Sequence, residues 1–526
     1  MRNPLAVTAP PTIAIAAAAW ISGTARAATS VVEATSTACS GIGSTYEQNG
    51  PVNRANPGHS ERSIESSATR GAELHVSVAG IARGRRARHL AEQIREAVLA
   101  GRLVAGGSLP SSRALAEDLG VSRGVVVDVY EQLVAEGYLD TGPGRRGTRV
   151  SARTPSVDPT RQLDGLPRRA GTNPGRPDPA LFPRREWLRA YTTAVRTLTD
   201  GDLSYGEARG LDALRLELSR YLARVRGIGV DPGQIMIVSG FAQGMVCIVR
   251  LLTARFGSPL IAVEDPGSIG SVEQLRAWGA RVVAIPVDAD GIVTDALEGS
   301  GAHAVLVTPA HQYPTGVTLA AHRRVALVDW ARRTGALVIE DDYDAEYRYD
   351  RSALTSLHAL MPDRVITGGS TSKSLAPALR IGWLVAPADL VDDLVDIKAT
   401  LDLATTTLEQ AALAHFIANG SLDRHLRRTR AIYRQRRDAV IEAARSLPGV
   451  AAVSGIAAGL HVVIRLEADA NETAMVDAAR SLGLDAQPLT KYCMRTAEPG
   501  LVLGFGMSTP GQLQRQFQAL SQSELK

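Results

Sequence analysis

Between residues 235 and 385 the chain alternates short apolar runs with longer segments of helical periodicity. The apolar runs are Ile235-Met-Ile-Val238, Leu260-Ile-Ala-Val263, Val282-Val-Ala-Ile285, Ala304-Val-Leu-Val307, Ala336-Leu-Val-Ile339, Arg364-Val-Ile366 and Ile381-Gly-Trp-Leu-Val385. Runs of this length and composition predict strands that are buried on both faces. Buried strands that alternate with helices predict an α/β domain with a mostly parallel sheet, in which ligands bind beyond the carboxyl ends of the strands.

Two of these predicted strands are followed by residues suited to hold a ligand. Ser239-Gly-Phe-Ala-Gln-Gly244 follows the first strand and opens a helix, so its backbone amides would face an anion. Glu340-Asp-Asp-Tyr343 follows another strand, where a carboxylate can pair with a pyridinium nitrogen and a tyrosine hydroxyl can bond a ring oxygen. Taken alone, a glycine turn is common, and the acids would more often form a helix cap or a surface group.

Lys373 indicates that these two segments belong to one cofactor-binding site. It lies in Gly368-Gly-Ser-Thr-Ser-Lys-Ser-Leu-Ala-Pro-Ala-Leu-Arg-Ile-Gly382. Its amine can form a Schiff base with the carbonyl group of a cofactor. The hydroxyls of Ser370 and Ser372 and the planar guanidinium of Arg380 can hold a phosphate. The stretch therefore predicts a carbonyl-bearing cofactor with a phosphate tail.

Residues 76–150 indicate a different kind of domain. Three helices are predicted here, the second capped by Ser111 or Ser112 and ended by Gly120, the third capped by Ser122. Their apolar stripes contain Leu90, Ile94, Val98 and Leu99 in the first helix and Val126, Val129, Tyr130 and Leu133 in the third. Two short helices joined by a tight turn form a helix-turn-helix, whose second helix enters the major groove of DNA. Residues 138–150 then predict a glycine-turned hairpin with basic residues at its tip, a wing.

Several phrases of this segment are typical of one family of DNA-binding domains. They are Gly101-Arg-Leu, Leu109-Pro-Ser-Ser-Arg-Ala-Leu-Ala116, Leu119-Gly-Val-Ser-Arg123, Tyr130-Glu-Gln-Leu and Glu136-Gly-Tyr-Leu. The segment resembles the winged helix of GntR-type bacterial regulators. The resemblance implies binding of double-stranded operator DNA, and the DNA-binding residues it implies are Arg113, Ser122, Arg123, Arg145, Arg146 and Thr148. Some relatives carry a further DNA-contacting arginine at position 127, where this chain has Val, which leaves a base contact open at that point.

The larger part of the chain carries a second set of family phrases. They are Thr308-Pro-Ala-His-Gln-Tyr-Pro-Thr-Gly316, Glu340-Asp-Asp-Tyr-Asp-Ala-Glu346 and Arg424-His-Leu-Arg-Arg-Thr-Arg430. Residues 175–526 resemble the fold-type I aminotransferases, and the whole chain resembles the MocR (GabR-like) regulators, in which a GntR-type winged helix is fused to such a domain. The resemblance implies pyridoxal 5'-phosphate as the cofactor and a homodimer, head-to-tail and domain-swapped.

The resemblance also assigns roles around the cofactor. Lys373 would be the Schiff-base lysine, Asp341 the partner of the pyridine nitrogen and Tyr343 the partner of the ring hydroxyl, with Asp342 as the rival of Asp341. The residues that would surround the phosphate are Phe241, Ala242, Ser370, Ser372 and Arg380. His311 and Gln312 are typical of the family and are interpreted as structural.

Three positions depart from working aminotransferases. Tyr313 stands where an Asn bonds the cofactor, and Ser268 stands where many relatives stack an aromatic residue on the ring. Val502 aligns with the arginine that binds the substrate carboxylate. Losing that bidentate clamp should cost about 2–4 kcal/mol of amino-acid binding. Effector recognition must therefore use other residues, or the effector is not an ordinary α-amino acid.

Amino-acid composition and the loss of apolar periodicity indicate the boundaries of these domains. Residues 1–75 lack apolar periodicity and predict a disordered extension or a start assigned too early, although their apolar run imitates a signal peptide. That run is too short to span a membrane. A linker is predicted over 151–174 and a small C-terminal lobe over about 400–526. Three cysteines lie far apart, which predicts no metal site and fits a reducing, cytoplasmic setting.

The sequence therefore predicts a multi-domain chain, a winged helix-turn-helix joined to an α/β domain of the fold-type I aminotransferase class. Its predicted function is a transcriptional regulator that binds operator DNA and senses a small amino compound through an external aldimine. The alternative is a catalytically active aminotransferase, and the sequence leaves turnover open. A DNA-binding protein with a purely structural dimerisation domain is a third possibility, which would require Lys373 to be uncoupled from the cofactor.

Overall fold

The computed structural model describes residues 74–141, 147–152, 174–349, 354–454, 458–495 and 498–523. The chain divides into two compact units, Met1–Leu166 and Pro167–Lys526. The predicted extension lies outside the described residues up to residue 73, and so does most of the predicted linker.

The first unit is a three-helix bundle with a short hairpin. Its elements are α1 (Arg86–Leu99), α2 (Ser112–Leu119), α3 (Arg123–Ala135), β1 (Leu139–Thr141) and β2 (Thr148–Val150). The hydroxyl of Ser111 accepts a hydrogen bond from the Ala114 amide and starts α2, while Gly120 ends it in the left-handed conformation (φ 60°). Leu90, Ile94 and Leu133 are fully buried in the shared core. These elements form the winged helix-turn-helix that the sequence predicts.

The second unit begins with two helices and an α/β layer. Its elements up to residue 385 are α4 (Arg184–Thr197), α5 (Asp212–Arg226), β3 (Ile235–Val238), α6 (Phe241–Phe256), β4 (Leu260–Asp265), α7 (Ile269–Ala277), β5 (Arg281–Asp288), β6 (Gly291–Ile292), β7 (Ala304–Val307), α8 (Ala321–Thr334), β8 (Leu337–Asp341), β9 (Val365–Ser370), α9 (Thr371–Ser374) and β10 (Gly382–Val385). The eight strands form one sheet in the order β3-β10-β9-β8-β7-β4-β5-β6. Strands β5, β4, β7, β8 and β9 pair in parallel, whereas β10 is antiparallel to both of its neighbours. The predicted α/β class is confirmed.

The C-terminal part of this unit carries a second sheet. Its elements are α10 (Val391–Asp402), α11 (Thr407–Ala418), α12 (Ser421–Ala444), β11 (Val450–Ser454), β12 (His461–Leu466), α13 (Glu472–Ser481), β13 (Asp485–Pro488), β14 (Gly500–Gly504) and α14 (Pro510–Gln522). The four strands pair antiparallel in the order β11-β12-β14-β13. Because side chains alternate along a strand, Val462 and Leu503 lie in the core cluster that includes helical residues, whereas Val463 and Val502 turn to the opposite face and pack with Tyr313.

None of the helices within the described ranges combines the length and the apolar character that a bilayer crossing requires.

Candidate functional site

The first feature of the site is a cradle for an anion at the start of α6. Gly240 precedes this helix with φ 88°, a conformation that favours glycine, and no capping side-chain hydrogen bond is made at the start of the helix. The guanidinium of Arg380 lies next to Gly240. A Cβ atom at Gly240 would be 3.1 Å from Nη2 of Arg380. Nη2 also donates a hydrogen bond to the Ser239 carbonyl. A helix N-terminus beside an arginine fork is suited to bind a phosphate.

The lysine segment lies at the same edge of the sheet. In register, Gly382 of β10 stands opposite Ser370 of β9 on one side and opposite Val238 of β3 on the other. Gly382 is so close to Gly240 that a Cβ atom would lie 3.0 Å from the Gly240 Cα. The sheet therefore brings the start of α6, Ser370 and Arg380 together. Of the predicted phosphate residues, Ala242 and Arg380 are exposed, while Phe241, Ser370 and Ser372 are half-buried.

Lys373 itself lies on the single turn of α9. The hydroxyl of Ser370 begins this turn by accepting a hydrogen bond from the Ser372 amide at 3.3 Å. Burial lowers the pKa of Lys373, although Asp344 and Asp341 act in the opposite direction. A lysine with a lowered pKa holds a larger share of the neutral amine, which is the nucleophilic form.

The two adjacent acids have different partners. Asp342 forms a buried ion pair with Arg226, with Oδ1 accepting from Nη2 at 2.8 Å and Oδ2 lying 2.7 Å from Nε. Asp341 lines a cavity together with Ser268 and Tyr313. Burial, reinforced by the charges of Asp342 and Asp344, raises the pKa of Asp341 to about 8. Asp341 is thus available to a ligand, and Asp342 is committed to Arg226.

Tyr343, His311 and Asp344 form a row of side chains in hydrogen-bond contact. The Tyr343 hydroxyl lies 3.0 Å from Nδ1 of His311, and the same nitrogen lies 2.9 Å from Oδ2 of Asp344. One nitrogen cannot donate to the carboxylate and also accept from the phenol. When it donates to Asp344, the Tyr343 proton is free for another acceptor, such as a ring oxygen. Asp344 follows the predicted Glu-Asp-Asp-Tyr phrase directly, so its sequence position could have suggested it, although nothing pointed to His311 as its partner.

His461 joins this cluster from the second sheet. Burial, with the neighbouring His311, lowers the pKa of His461 to about 3, so it is neutral. Its Nε2 lies 3.0 Å from the Pro314 carbonyl, and its Nδ1 has no hydrogen-bond partner among the described residues. Ligand-type atoms of His311, Asp344 and His461 lie within 4.8 Å of one another. No local sequence signal marks His461, which lies 150 residues from His311.

Gln312 and Glu264 form a hydrogen-bonded pair near these residues. Glu264 is buried, and burial raises its pKa to about 7. It accepts hydrogen bonds from the Thr308 hydroxyl at 2.6 Å and from the Gln312 amide at 3.3 Å. Gln312 also donates to the Pro266 carbonyl and accepts from Thr315, so all of its side-chain polar atoms are engaged. These contacts agree with the structural role predicted for Gln312.

Val502, which is predicted to replace the carboxylate-binding arginine, lies in apolar and aromatic surroundings. Val502 is fully buried in β14 and packs in a cluster with Val463, Leu489, Tyr492 and Tyr313. The Tyr313 hydroxyl donates to the hydroxyl oxygen of Tyr492 at 3.2 Å. Ser268, at the predicted ring-stacking position, instead caps α7 by accepting from the Ser271 amide.

Three of the predicted DNA contacts are exposed on the first unit. Arg113, Ser122 and Arg123 are exposed at the starts of α2 and α3, and Nε of Arg123 lies 3.4 Å from Oγ of Ser112. Ser122 precedes α3 in extended conformation without a side-chain capping bond, so its hydroxyl is not used by the helix. Thr148 is half-buried on β2, and Val127 is half-buried on α3. Arg145 and Arg146 lie outside the described residues.

Two family models match the chain. Residues 86–150 match the bacterial regulatory proteins of the gntR family, and residues 180–492 match the aminotransferases of class I and II. The HTH-type pyridoxine biosynthesis transcriptional regulator PdxR of Corynebacterium glutamicum is 37% identical over 79% of this chain and 91% of its own length. The probable rhizopine catabolism regulatory protein MocR of Rhizobium meliloti is 30% identical over 80% of this chain and 90% of its own length. The chain belongs to the MocR-like family of regulators.

Solved structures support the same assignment for the large unit of this MocR-like regulator. A kynurenine aminotransferase of Pyrococcus horikoshii, in complex with PMP, is 27% identical, with a TM-score of 0.61, over 67% of this chain and 90% of its own. The α-aminoadipate aminotransferase of Thermus thermophilus, complexed with N-(5'-phosphopyridoxyl)-L-leucine, is 25% identical, with a TM-score of 0.60, over 66% of this chain and 90% of its own. The predicted membership and fold are confirmed.

The residues of the site fit pyridoxal phosphate, which is the cofactor of this MocR-like regulator. The start of α6 and Arg380 form a cradle that a Cβ at Gly240 would crowd. Asp341 lines the cavity, where its carboxyl group can pair with a pyridine nitrogen. Lys373 has a lowered pKa beside them.

Proposed function

We propose that this MocR-like regulator senses a small amino compound at Lys373 and transmits the change to operator binding by its GntR-type unit. The observation that carries the proposal is the combination of a cofactor site with Val502 at the place of the carboxylate clamp. Reversible reaction with an amine needs only Lys373 and the cofactor, whereas transamination also needs a substrate that is held in one orientation. The site has the residues for reaction with an amine but lacks, at Val502, the arginine that would orient an amino-acid substrate.

Each residue at the site has a definite task in this proposal. Pyridoxal phosphate, when bound, supplies a carbonyl that reacts reversibly with amines and a ring that withdraws electrons. Lys373 supplies the amine and can carry a proton at Nζ. Asp341, with its raised pKa, holds a proton that it can share with a ring nitrogen. Tyr343 donates to a ring oxygen when Nδ1 of His311 donates its hydrogen bond to Asp344.

The effector acts because it binds two states of the site with different affinity. An amine that takes the place of Lys373 frees that side chain from its covalent attachment and adds its own contacts. A ligand can shift a conformational equilibrium only by such a difference in affinity. The conformational change that reaches the DNA-binding unit is part of the proposal.

The DNA interface is proposed to consist of the two helix starts and the wing. Arg113, Ser122 and Arg123 would contact the major groove or the backbone, and Thr148 would act from the wing together with Arg145 and Arg146. Exposure of the first three and the match to the gntR family support this assignment. The protein is further proposed to work in the cytoplasm as a head-to-tail, domain-swapped homodimer on a two-part operator.

The names of the relatives suggest where to look for the operator. One relative is named as a regulator of pyridoxine biosynthesis and another as a regulator of rhizopine catabolism, so biosynthetic or catabolic genes near the gene of this regulator are the targets to test first. The intergenic DNA beside the gene is the first fragment to test.

Working aminotransferase activity is the second candidate. It is favoured by the large unit's likeness to enzymes, such as the 30% identity over 281 residues to an aromatic-amino-acid aminotransferase of Thermococcus litoralis. Against it stands Val502, which cannot orient the Cα–H bond over the ring, and a misplacement of about 1 Å can lower a rate roughly a hundredfold.

A single-turnover experiment separates the two candidates. The cofactor-bound protein is mixed with a panel of amino acids and simple amines, and the absorbance spectrum is followed in time. Sensing predicts fast spectral change without accumulation of pyridoxamine phosphate. Rapid and complete conversion to pyridoxamine phosphate with any common amino acid would favour the enzyme.

A further inference from the structure

Residues 174–177 cross the end of β14, two residues beyond Val502. A Cβ atom at Gly504 would lie 3.0 Å from the Pro174 Cα, and one at Gly506 would lie 2.0 Å from the Arg176 carbonyl oxygen. Val502 and Gly504 point to the same face of the second sheet, the face that also carries His461. Arg176 therefore stands on the site face of this sheet, beside the place where the carboxylate clamp is missing.

Arg176 is held only loosely at this place. Its Nη2 lies 3.6 Å from Oδ2 of Asp485, a distance beyond a normal hydrogen bond. Its Nε is buried and has no hydrogen-bond partner among the described residues, and the same is true of Oδ1 of Asp485. The Arg176 side chain is 41% exposed, so it can be reached from solvent. Buried polar atoms are nearly always satisfied in folded proteins, and an anion bound at Arg176 would give its Nε the missing acceptor.

The Arg176–Asp485 pair belongs electrostatically to the Lys373 site. Burial is the main cause of the lowered pKa of Lys373, Arg176 lowers it further, and Asp485 raises it. Burial is also the main cause of the raised pKa of Tyr492, and the charge of Asp485 raises it further. Both charges therefore lie within electrostatic reach of the Lys373 amine, and Asp485 also lies within electrostatic reach of Tyr492 in the cluster around Val502.

Two other guanidinium groups near the site are already committed. Arg226 is bound by Asp342 in a buried ion pair. Arg380 lies over Gly240 and donates to the Ser239 carbonyl, at the phosphate cradle. Arg176 lacks such a commitment, and its weak partner can be displaced by a stronger anion.

We infer that Arg176 binds an anionic group of the effector, a carboxylate or a sulfonate, and thereby takes over the task of the arginine that Val502 replaces. This inference rests on the proposed sensing of amines at Lys373. The effector class is then an amine that carries a negative charge. Asp485 holds the guanidinium in place when no effector is bound and competes with the effector's anion.

The test compares amines with and without an anion. Glycine, β-alanine, γ-aminobutyrate and δ-aminovalerate are each paired with the alkylamine of the same chain length, and taurine is included as a sulfonate. The cofactor-bound protein is equilibrated with each probe and reduced with borohydride. The mass of the protein then reports whether the cofactor is fixed to Lys373 or has been transferred to the probe.

In the wild-type protein, at least one anionic probe should displace Lys373 at a concentration about tenfold or more below its paired alkylamine. Arg176→Gln should remove this preference, so that each anionic probe and its paired alkylamine displace Lys373 at similar concentrations. Arg176→Lys should keep part of it, because a point charge remains without the planar fork. Asp485→Asn should strengthen it, since the competing carboxylate is gone.

Arg465→Gln is a matched control. Arg465 lies on β12 four residues from His461, has a similar exposure of 38%, and is paired with Glu498 at 3.0 Å. This variant should retain the preference in full. Retention of cofactor and of the thermal midpoint in every variant establishes that each one is folded.

The outcomes separate the inference from the function on which it rests. If alkylamines displace Lys373 but the anionic preference is absent or survives Arg176→Gln, Arg176 is not the anion-binding residue and amine sensing stands. If no probe of either kind displaces Lys373, the proposed amine sensing fails, and the inference fails with it.

Discussion

Single residues at the site are distinguished by their partners rather than by their chemical type. Asp341 and Asp342 are neighbours in sequence and have the same side chain. Arg226 binds Asp342, whereas Asp341 lines the cavity with a pKa raised to about 8. This difference leads to opposite expectations for the two isosteric substitutions.

Asp341→Asn should make the cofactor-free protein less sensitive to pH. An aspartate has a pKa near 4 when unfolded, so between about pH 4 and 8 the folded state holds a proton at Asp341 that the unfolded state has lost. The free energy of unfolding therefore falls as the pH rises through this window. At pH 8 the variant should be more stable than the wild type by about 1–2 kcal/mol, a reduced figure because the group is partly exposed.

Urea unfolding of the cofactor-free protein at pH 5 and pH 8 measures this effect. Asp342→Asn is the contrasting variant. Burial raises the pKa of Asp342 to about 7, but its two contacts with Arg226 form an ion pair at pH 8, where the variant should lose about 3–5 kcal/mol because the Arg226 charge stays buried without its partner. An equal pH dependence in the wild type and Asp341→Asn would show that Asp341 is not the group that titrates.

Lys373 should be the only lysine that holds the cofactor covalently. The sequence has lysines at positions 373, 398, 491 and 526, and Lys398 is fully buried against Asp402. Lys373→Ala should abolish the visible absorbance and the trapping by borohydride, whereas Lys491→Ala should retain both. Peptide mapping after reduction identifies the modified lysine, and a modified peptide other than that of Lys373 would contradict the assignment.

The sequence predicted which residues meet at this site better than it predicted their contacts. Lys373, Ser370 and Arg380 lie in one stretch whose chemistry is legible from residue types and spacing. The choice between Asp341 and Asp342 depends on Arg226, more than 100 residues away, which no local pattern reveals. The same holds for His461 and Arg176, which reach the site only because the second sheet folds against it.

At the scale of elements, the short helices α2 and α3 set the predicted DNA surface. Each begins with exposed polar residues, and their apolar residues Leu115 and Val126 are buried in the bundle. Strands and caps were predictable because apolar runs and capping residues act locally, as Ser111 and Gly120 do at α2. The antiparallel direction of β10 was not predictable, since strand direction depends on the path of the chain around the sheet.

Arg123→Ala should weaken operator binding by about 1–3 kcal/mol if this arginine reads a base edge. Titration of the intergenic DNA at several salt concentrations measures both the affinity and the number of phosphate contacts. Arg102→Ala is the control, because Arg102 is also exposed on this unit but lies outside the helix-turn-helix. Equal affinity of Arg123→Ala and wild type would remove Arg123 from the interface.

At the scale of the whole molecule, two compact units with separate chemistries share one chain. The GntR-type unit can recognise DNA, and the aminotransferase-like unit can bind a cofactor and an amine. A regulator requires that a ligand at one site change the affinity at the other, by a factor that is typically about 5–150. The interpretation of residues 1–75 as a disordered extension or a start assigned too early stays a prediction, because they lie almost entirely outside the described residues.

The most direct test of amine-controlled DNA binding is the affinity of the protein for the intergenic DNA beside its gene, followed by fluorescence anisotropy. The cofactor-bound wild type is titrated without amine and with a saturating concentration of the probe that best displaces Lys373, and Lys373→Ala is titrated in the same way. The wild-type affinity should change about tenfold or more with the amine, while Lys373→Ala should bind DNA and show no response. A wild-type affinity that is the same with and without amine, under conditions where Lys373 is displaced, would contradict the proposed coupling.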